Sequence, residues 1–117
     1  MSADLAPVVE RLRKAASGLP GIEQGTSYGT PALKVRKKFL CRVKDGDTIV
    51  LTCPLEEKEL LIAAAPEIYF ETDHYRGWPA ILVRIHEISD EELRHRLELA
   101  WRAQAPRSLT AGSAPEP

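Results

Sequence analysis

Cysteine is scarce in this chain: Cys41 and Cys53 are the only two. They form no CxxC pair and are too few for a disulfide framework, so a reducing compartment fits best. Histidine is scarce too. The spacing of His74, His86 and His95 matches no standard zinc pattern. No apolar run reaches the roughly 18 residues needed to cross a bilayer. The opening stretch MSADLAPVVERL has early acids and no long apolar run, unlike a signal peptide, and the expectation is a cytoplasmic protein. GxSxG, P-loop, Rossmann glycine and HExxH patterns are all missing, as are internal repeats. These absences remove the best-marked enzyme and metal-binding classes. They set the expectation of a non-enzymatic module with no metal and no cofactor.

What is present suits one packed domain. The 117 residues are 44% hydrophobic and 28% charged, enough for a single core. The expected domain spans 1–105, followed by a flexible tail over 106–117, where APRSLTAGSAPEP carries neither helical nor strand periodicity. Net charge is only −1, yet it is segregated along the chain. Residues 31–44 carry Lys34, Arg36, Lys37, Lys38, Arg42 and Lys44 and no acid, whereas 45–73 carry eight acids against Lys58 alone. Where this asymmetry lies in the fold decides what it does.

Hydrophobic periodicity locates the elements. Leu5, Val8, Val9, Leu12 and Ala16 make one helical stripe, with Ser2 or Asp4 as cap and Gly18 and Pro20 as the stop. LPGIEQGTSYGTP is too broken for a helix and predicts a short strand near 23–28. ALKVR and FLCRVK then alternate. That alternation puts Leu33, Val35, Phe39, Cys41 and Val43 inward and Lys34, Arg36, Leu40, Arg42 and Lys44 outward. Asp45-Gly46-Asp47 is a hairpin signal before the strand TIVLT. A second helix starts at Pro54 after a Thr52 or Cys53 cap. AILVRI is a strand with Ile81, Val83 and Ile85 inward and Leu82 and Arg84 outward. Ser89 to Glu92 reads as a capping box for a last helix that buries Leu93, Leu97, Ala100 and Trp101. The order predicts an α+β two-layer sandwich: an antiparallel sheet with the terminal helices on one face and the other face largely open.

The segments GTSYGTPALKV, KKFLCRV, TDHYRGWPAILVRI and DEELRHRLELAWRAQAPRSL together resemble the MmcQ/YjbR family of small bacterial proteins. The resemblance covers roughly residues 8–109. It implies a CyaY-like, frataxin-like sandwich, and it brings with it a DNA-binding label that rests on shape. The acids of the frataxin first helix are missing here, where Glu10 stands among Arg11, Arg13 and Lys14.

Two candidate sites follow from the residues. Lys34, Arg36, Arg42, Lys44 and Arg84 all alternate outward. If their strands are neighbours, five cations share one face, a surface suited to DNA, RNA or another polyanion through counterion release. The bland reading is a solvated face whose cations block edge pairing. The second site is the stretch His74, Tyr75, Arg76 and Trp78, with Tyr28 facing it from the glycine-rich segment. Its rings could stack on a ligand or a base, and irregular glycine-rich backbone permits close approach. The bland reading is a turn in which Gly77 and Pro79 set the backbone, Asp73 pairs with Arg76 and Trp78 covers the core edge. The leading expectation is nucleic-acid binding of low sequence specificity on the basic face. The alternative is a small-molecule or protein-interaction module using the cleft between GTSYGTP and DHYRGWP. A monomer is expected.

Overall fold

The computed structural model describes residues 5–108. The chain runs α1 (Ala6–Ala15), β1 (Ile22–Ser27), β2 (Thr30–Val35), β3 (Lys38–Val43), β4 (Thr48–Thr52), α2 (Leu55–Ala64), β5 (Tyr69–Phe70), a 3-10 turn (Asp73–Tyr75), β6 (Ala80–Arg84) and α3 (Asp90–Gln104). The sheet has six strands in the order β1-β2-β3-β4-β6-β5, antiparallel at every pairing. This is the α+β sandwich that the order of the elements predicts. Among the described residues no helix is long and apolar enough to cross a membrane.

The core lies between one sheet face and the helices. Val8, Leu12, Ala15 and Ala16 from the first helical segment and Leu93, Leu97, Ala100 and Trp101 from α3 pack on Leu33, Val35, Cys41, Val43, Ile49, Leu51, Ile81 and Val83. Trp101 is fully buried, and its indole N–H donates to the Pro20 carbonyl at 2.9 Å. A buried Trp needs such a partner, and this one ties α3 to the entry of β1. Arg11 makes a second tie. Its guanidinium pairs with Asp90 at 2.7 Å and donates to the Ile85 and Ile88 carbonyls. Ser89 caps α3 by accepting from the Glu92 N–H at 3.1 Å. The Glu92 carboxylate does not complete a capping box; it accepts from the buried Tyr69 hydroxyl. A satisfied buried hydroxyl outweighs an exposed backbone N–H.

Two local expectations are corrected. The cap of α1 is Leu5, with no side-chain hydrogen bond, while Ser2 and Asp4 lie outside the described residues. The cap of α2 is Pro54, one position after Cys53 and two after Thr52. Of the expected tail, everything beyond Ser108 lies outside the described residues. A larger correction concerns β3. Register shifts between Leu33 and Lys34: Leu33 faces Cys41 and Lys34 faces Phe39. Leu40 is therefore an extra residue, a β-bulge. One inserted residue reverses the facing of everything before it. Leu40 is buried in the core, and Phe39 shares a face with Lys34, the reverse of the alternation expected at these two positions.

The far face is not largely open either. Cross-strand partners share a face, so Ala32, Arg42, Val50 and Leu82 form one row across β2, β3, β4 and β6 on the side away from α1 and α3. Ala32, Val50 and Leu82 are buried yet stand outside the helix-side core. The segment 71–79 folds back over this face, as the Arg42 to Tyr75 hydrogen bond of 2.9 Å requires.

Burial pushes the Cys41 thiol from its ordinary value up to about 12, against a weaker opposing hydrogen bond from Leu33. Tyr69 is raised by burial and by its bond to Glu92. A raised pKa means the folded state holds the proton more tightly than the unfolded state, so this stability is whole below the unfolded value and fades as pH climbs through the folded one. Urea denaturation should accordingly show stability falling between about pH 9 and about 12. A Cys41→Ala variant, less stable at neutral pH, should lose less of its remaining stability over that range. An equal loss in both proteins would contradict the assignment.

A cleft on the far face of the sheet

Two tight hairpins shape one side of the cleft. Ser27 pairs with Thr30 and Val35 with Lys38, leaving two-residue turns at Tyr28-Gly29 and Arg36-Lys37. All four turn residues have positive φ: 53° and 78° in the first, 49° and 69° in the second. Such turns match the twist of antiparallel strands, and Asn and Gly suit them best. Gly29 fits that requirement. Arg36 and Lys37 do not, and each holds a left-handed conformation that costs a non-glycine residue on the order of 1 kcal/mol.

The other side is the segment 71–79, and a buried cation holds it. Lys58 on α2 is 2% exposed. Its ammonium donates to the Tyr75 carbonyl at 2.8 Å, to the Trp78 carbonyl at 3.0 Å, and pairs with Glu71 at 2.8 Å. An ammonium has three N–H donors and here meets three oxygens. The Pro79 carbonyl is held as well, by the Cys53 N–H at 2.9 Å and the Thr52 hydroxyl at 3.3 Å. Gly77, at φ +80°, makes the bend between the two ring-bearing residues.

Between these walls is a cleft of about 370 Å³ lined by Tyr28, Lys34, Lys37, Phe39, Arg42, Val50, Thr52, Tyr75 and Trp78, with Ser27, Pro79 and Ala80 at its margin. Arg42 spans it. Its guanidinium donates to the Thr30 hydroxyl at 3.2 Å and the Tyr75 hydroxyl at 2.9 Å, and lies 5.3 Å from the centre of the Tyr28 ring. Among the described residues, Lys34, Lys37 and Arg42 form no ion pair. The nearest acid along the sheet is Glu23, opposite Lys34 on β1, which accepts from the Lys37 backbone N–H at 3.4 Å. Tyr28 is 86% and Trp78 63% exposed, so Trp78 does not cover the core edge.

The cations expected to share one face are divided. Lys34 and Arg42 line the cleft. Arg36 sits at a turn tip rather than on a strand, and Lys44 lies just past the end of β3. Arg84 is on the same face at its far end, 4.1 Å from the Phe70 ring and donating to the Pro66 carbonyl at 3.1 Å. His74 stands edge-on to Tyr75, and Arg76 pairs with Asp73 at 2.8 Å in solvent. Neither lines the cleft. Lys37, Phe39 and Lys58 were not singled out by the sequence, although Lys58 is the lone cation among the acids of 45–73.

Other features are less suited to binding chemistry. A groove of about 610 Å³ between α1 and α3 carries Glu10, Arg11, Lys14, Asp90, Glu91 and Arg94, charges of both signs with no ring. Cys53 is buried and its thiol is pushed up to about 11 by burial and then by Glu57, the opposite of an activated nucleophile. Among the described residues no three His, Cys, Asp or Glu side chains are grouped to hold a metal.

The YjbR family model matches residues 17–103. The chain belongs to the YjbR family. Residues carrying both cleft walls and α2 fall inside that match. Uncharacterized protein Rv2570 of Mycobacterium tuberculosis and Uncharacterized protein Mb2600 of Mycobacterium bovis are each 46% identical over 52 residues, 44% of this chain. The match spans 40% of the length of those relatives. The crystal structure of Deinococcus radiodurans protein DR2400, with domain DUF419, superposes with a TM-score of 0.70 at 16% identity, covering 89% of this chain and 86% of that one. That likeness shows a shared fold.

Lys58 should be the costliest surface-loop anchor to remove. Lys58→Met leaves two carbonyls and Glu71 without their partner. The expected loss is about 2–4 kcal/mol, near the lower end for a buried pair because Glu71 is partly solvated. Denaturant unfolding measures it, and Trp78 emission should shift as the wall loosens. Unchanged stability would show that water replaces the ammonium at no cost.

Proposed function

We propose that this YjbR chain is a non-enzymatic binding module whose cleft takes a small anionic ligand bearing a flat ring. The observation that carries this reading is the meeting of Lys34, Lys37 and Arg42, which form no ion pair among the described residues, with Tyr28, Tyr75 and Trp78 in one concavity. Like charges held close without counterions repel, and an incoming anion relieves that repulsion. Exposed rings on a held backbone supply stacking area at little entropic cost. The strained Arg36-Lys37 turn supports the same reading, because strain kept where Asn-Gly would be relaxed points to a use for the side chains.

The second reading is nucleic acid on this face. The solvent-facing Trp78 and Tyr28 favour it, as stacking platforms for single-stranded bases beside cations. The scattering of Arg36, Lys44 and Arg84 away from the cleft speaks against one continuous phosphate track. The five-cation patch is thus the weaker form of the proposal.

Replacing Arg36-Lys37 with Asn-Gly should separate stability from binding. The turn relaxes, and stability should rise by about 1 kcal/mol or more. Ligand affinity should fall, because Lys37 is lost from the cleft. The paired measurement is thermal unfolding and a binding titration with a mononucleotide or short oligonucleotide as probe. A variant that is more stable and binds equally well would remove Lys37 from the site.

A further inference from the structure

Resting on the cleft reading above, we infer that the occupant is a phosphate monoester carried on a flat ring, about one nucleotide in size. Three observations select this class. The first is the state of Arg42. Bidentate recognition of a carboxylate or a phosphate needs a free guanidinium fork, whereas lysine binds phosphate as a point charge. The Arg42 fork is already engaged, one arm on the Thr30 hydroxyl and the other on the Tyr75 hydroxyl. Its role is to set the walls, holding Tyr75 by a hydrogen bond and facing the Tyr28 ring. The cations left for an anion are Lys34 and Lys37, two compact charges with rotatable donors. A phosphate monoester brings about two negative charges and three acceptor oxygens, which matches two ammonium groups better than a single carboxylate does.

The second observation is the pair of exposed rings. Tyr28 and Trp78 rise from opposite walls on backbones that are independently fixed, Tyr28 in a two-residue turn and Trp78 through its carbonyl bond to Lys58. A flat ring stacks on either face without a change in fold. The third is size. A cleft of about 370 Å³ lies at the small end of ligand sites. It accommodates one ring with its sugar and phosphate, while successive bases of a strand would lie outside it.

The test follows quenching of Trp78 emission. Trp101 is fully buried, so a ligand in the cleft reaches only Trp78. The probes are adenosine monophosphate, adenosine, inorganic phosphate, an aromatic carboxylate and a short oligothymidylate. The nucleotide should bind at least about tenfold more tightly than adenosine or phosphate alone, since ring and phosphate each add contact energy. Lys34→Ala with Lys37→Ala should remove the preference for nucleotide over nucleoside, and Tyr28→Ala, which leaves the Trp78 reporter in place, should weaken both, while Lys44→Ala leaves both unchanged. An aromatic carboxylate that binds as tightly as the nucleotide overturns the phosphate assignment and leaves the cleft reading standing. Affinity for oligothymidylate that climbs with its length overturns the one-nucleotide size. No quenching by any probe overturns the cleft reading and this inference together.

Discussion

The Lys58 ammonium has three N–H groups to donate, and the fold supplies three oxygens, two of them main-chain carbonyls of Tyr75 and Trp78. A charge removed from water this far is unfavourable unless every donor is met. That requirement works in both directions. The segment 71–79 must close over the end of the sheet to satisfy Lys58, and Lys58 must be present to hold a segment that has only a 3-10 turn of its own. From this closure follow the position of Tyr75, its bond to Arg42, and the upright stance of Trp78. Val50, Ala32 and Leu82 are kept dry on the face where the sandwich has no helix layer.

The bulge at Leu40 is the second constraint. It lets β3 feed the core on both sides of one irregular point. Leu40, Cys41 and Val43 all bury, while Phe39 and Arg42 both face the cleft side. A regular strand through the same residues would have placed Phe39 in the core and Leu40 in the cleft. The electrostatics of the chain also resolve here. Four of the eight acids of 45–73 meet a basic side chain: Glu71 meets Lys58, Glu57 meets Arg96, Asp73 meets Arg76 and Asp47 meets His86. Among the described residues the cleft cations make no ion pair, although Glu23 stands opposite Lys34 on β1.

Much of this was legible in the residues, for physical reasons that can be named. The stripe of Val8, Leu12 and Ala16, the stripe of Leu93, Leu97 and Trp101, and the alternation of Ile81, Val83 and Ile85 each mark a single buried face, and a buried face is what periodicity reports. The Ser89 cap was legible because its chemistry is local. What was not legible depends on contacts distant in sequence. A bulge leaves no periodic mark, so counting through Leu40 inverted Phe39. Arg36 read as a strand residue because a tight turn without Asn or Gly breaks the local rule. Lys58 looked like one cation on an acidic helix, and only tertiary closure gives it the carbonyls of Tyr75 and Trp78. The family resemblance marked the segments that form the walls, and Lys34 with them, but not the meeting of Lys34, Lys37 and Arg42 with the rings in one cleft.

The most direct test of the central claim, that the cleft is the binding site, is a backbone amide NMR titration with a nucleoside monophosphate. Shifts should be confined to Tyr28, Gly29, Lys34, Lys37, Phe39, Arg42 and the segment from Tyr75 to Ala80. Lys44, Arg84 and the groove between α1 and α3 should stay still. Shifts centred on that groove, or spread evenly over Arg36, Lys44 and Arg84 with the cleft unmoved, would contradict it.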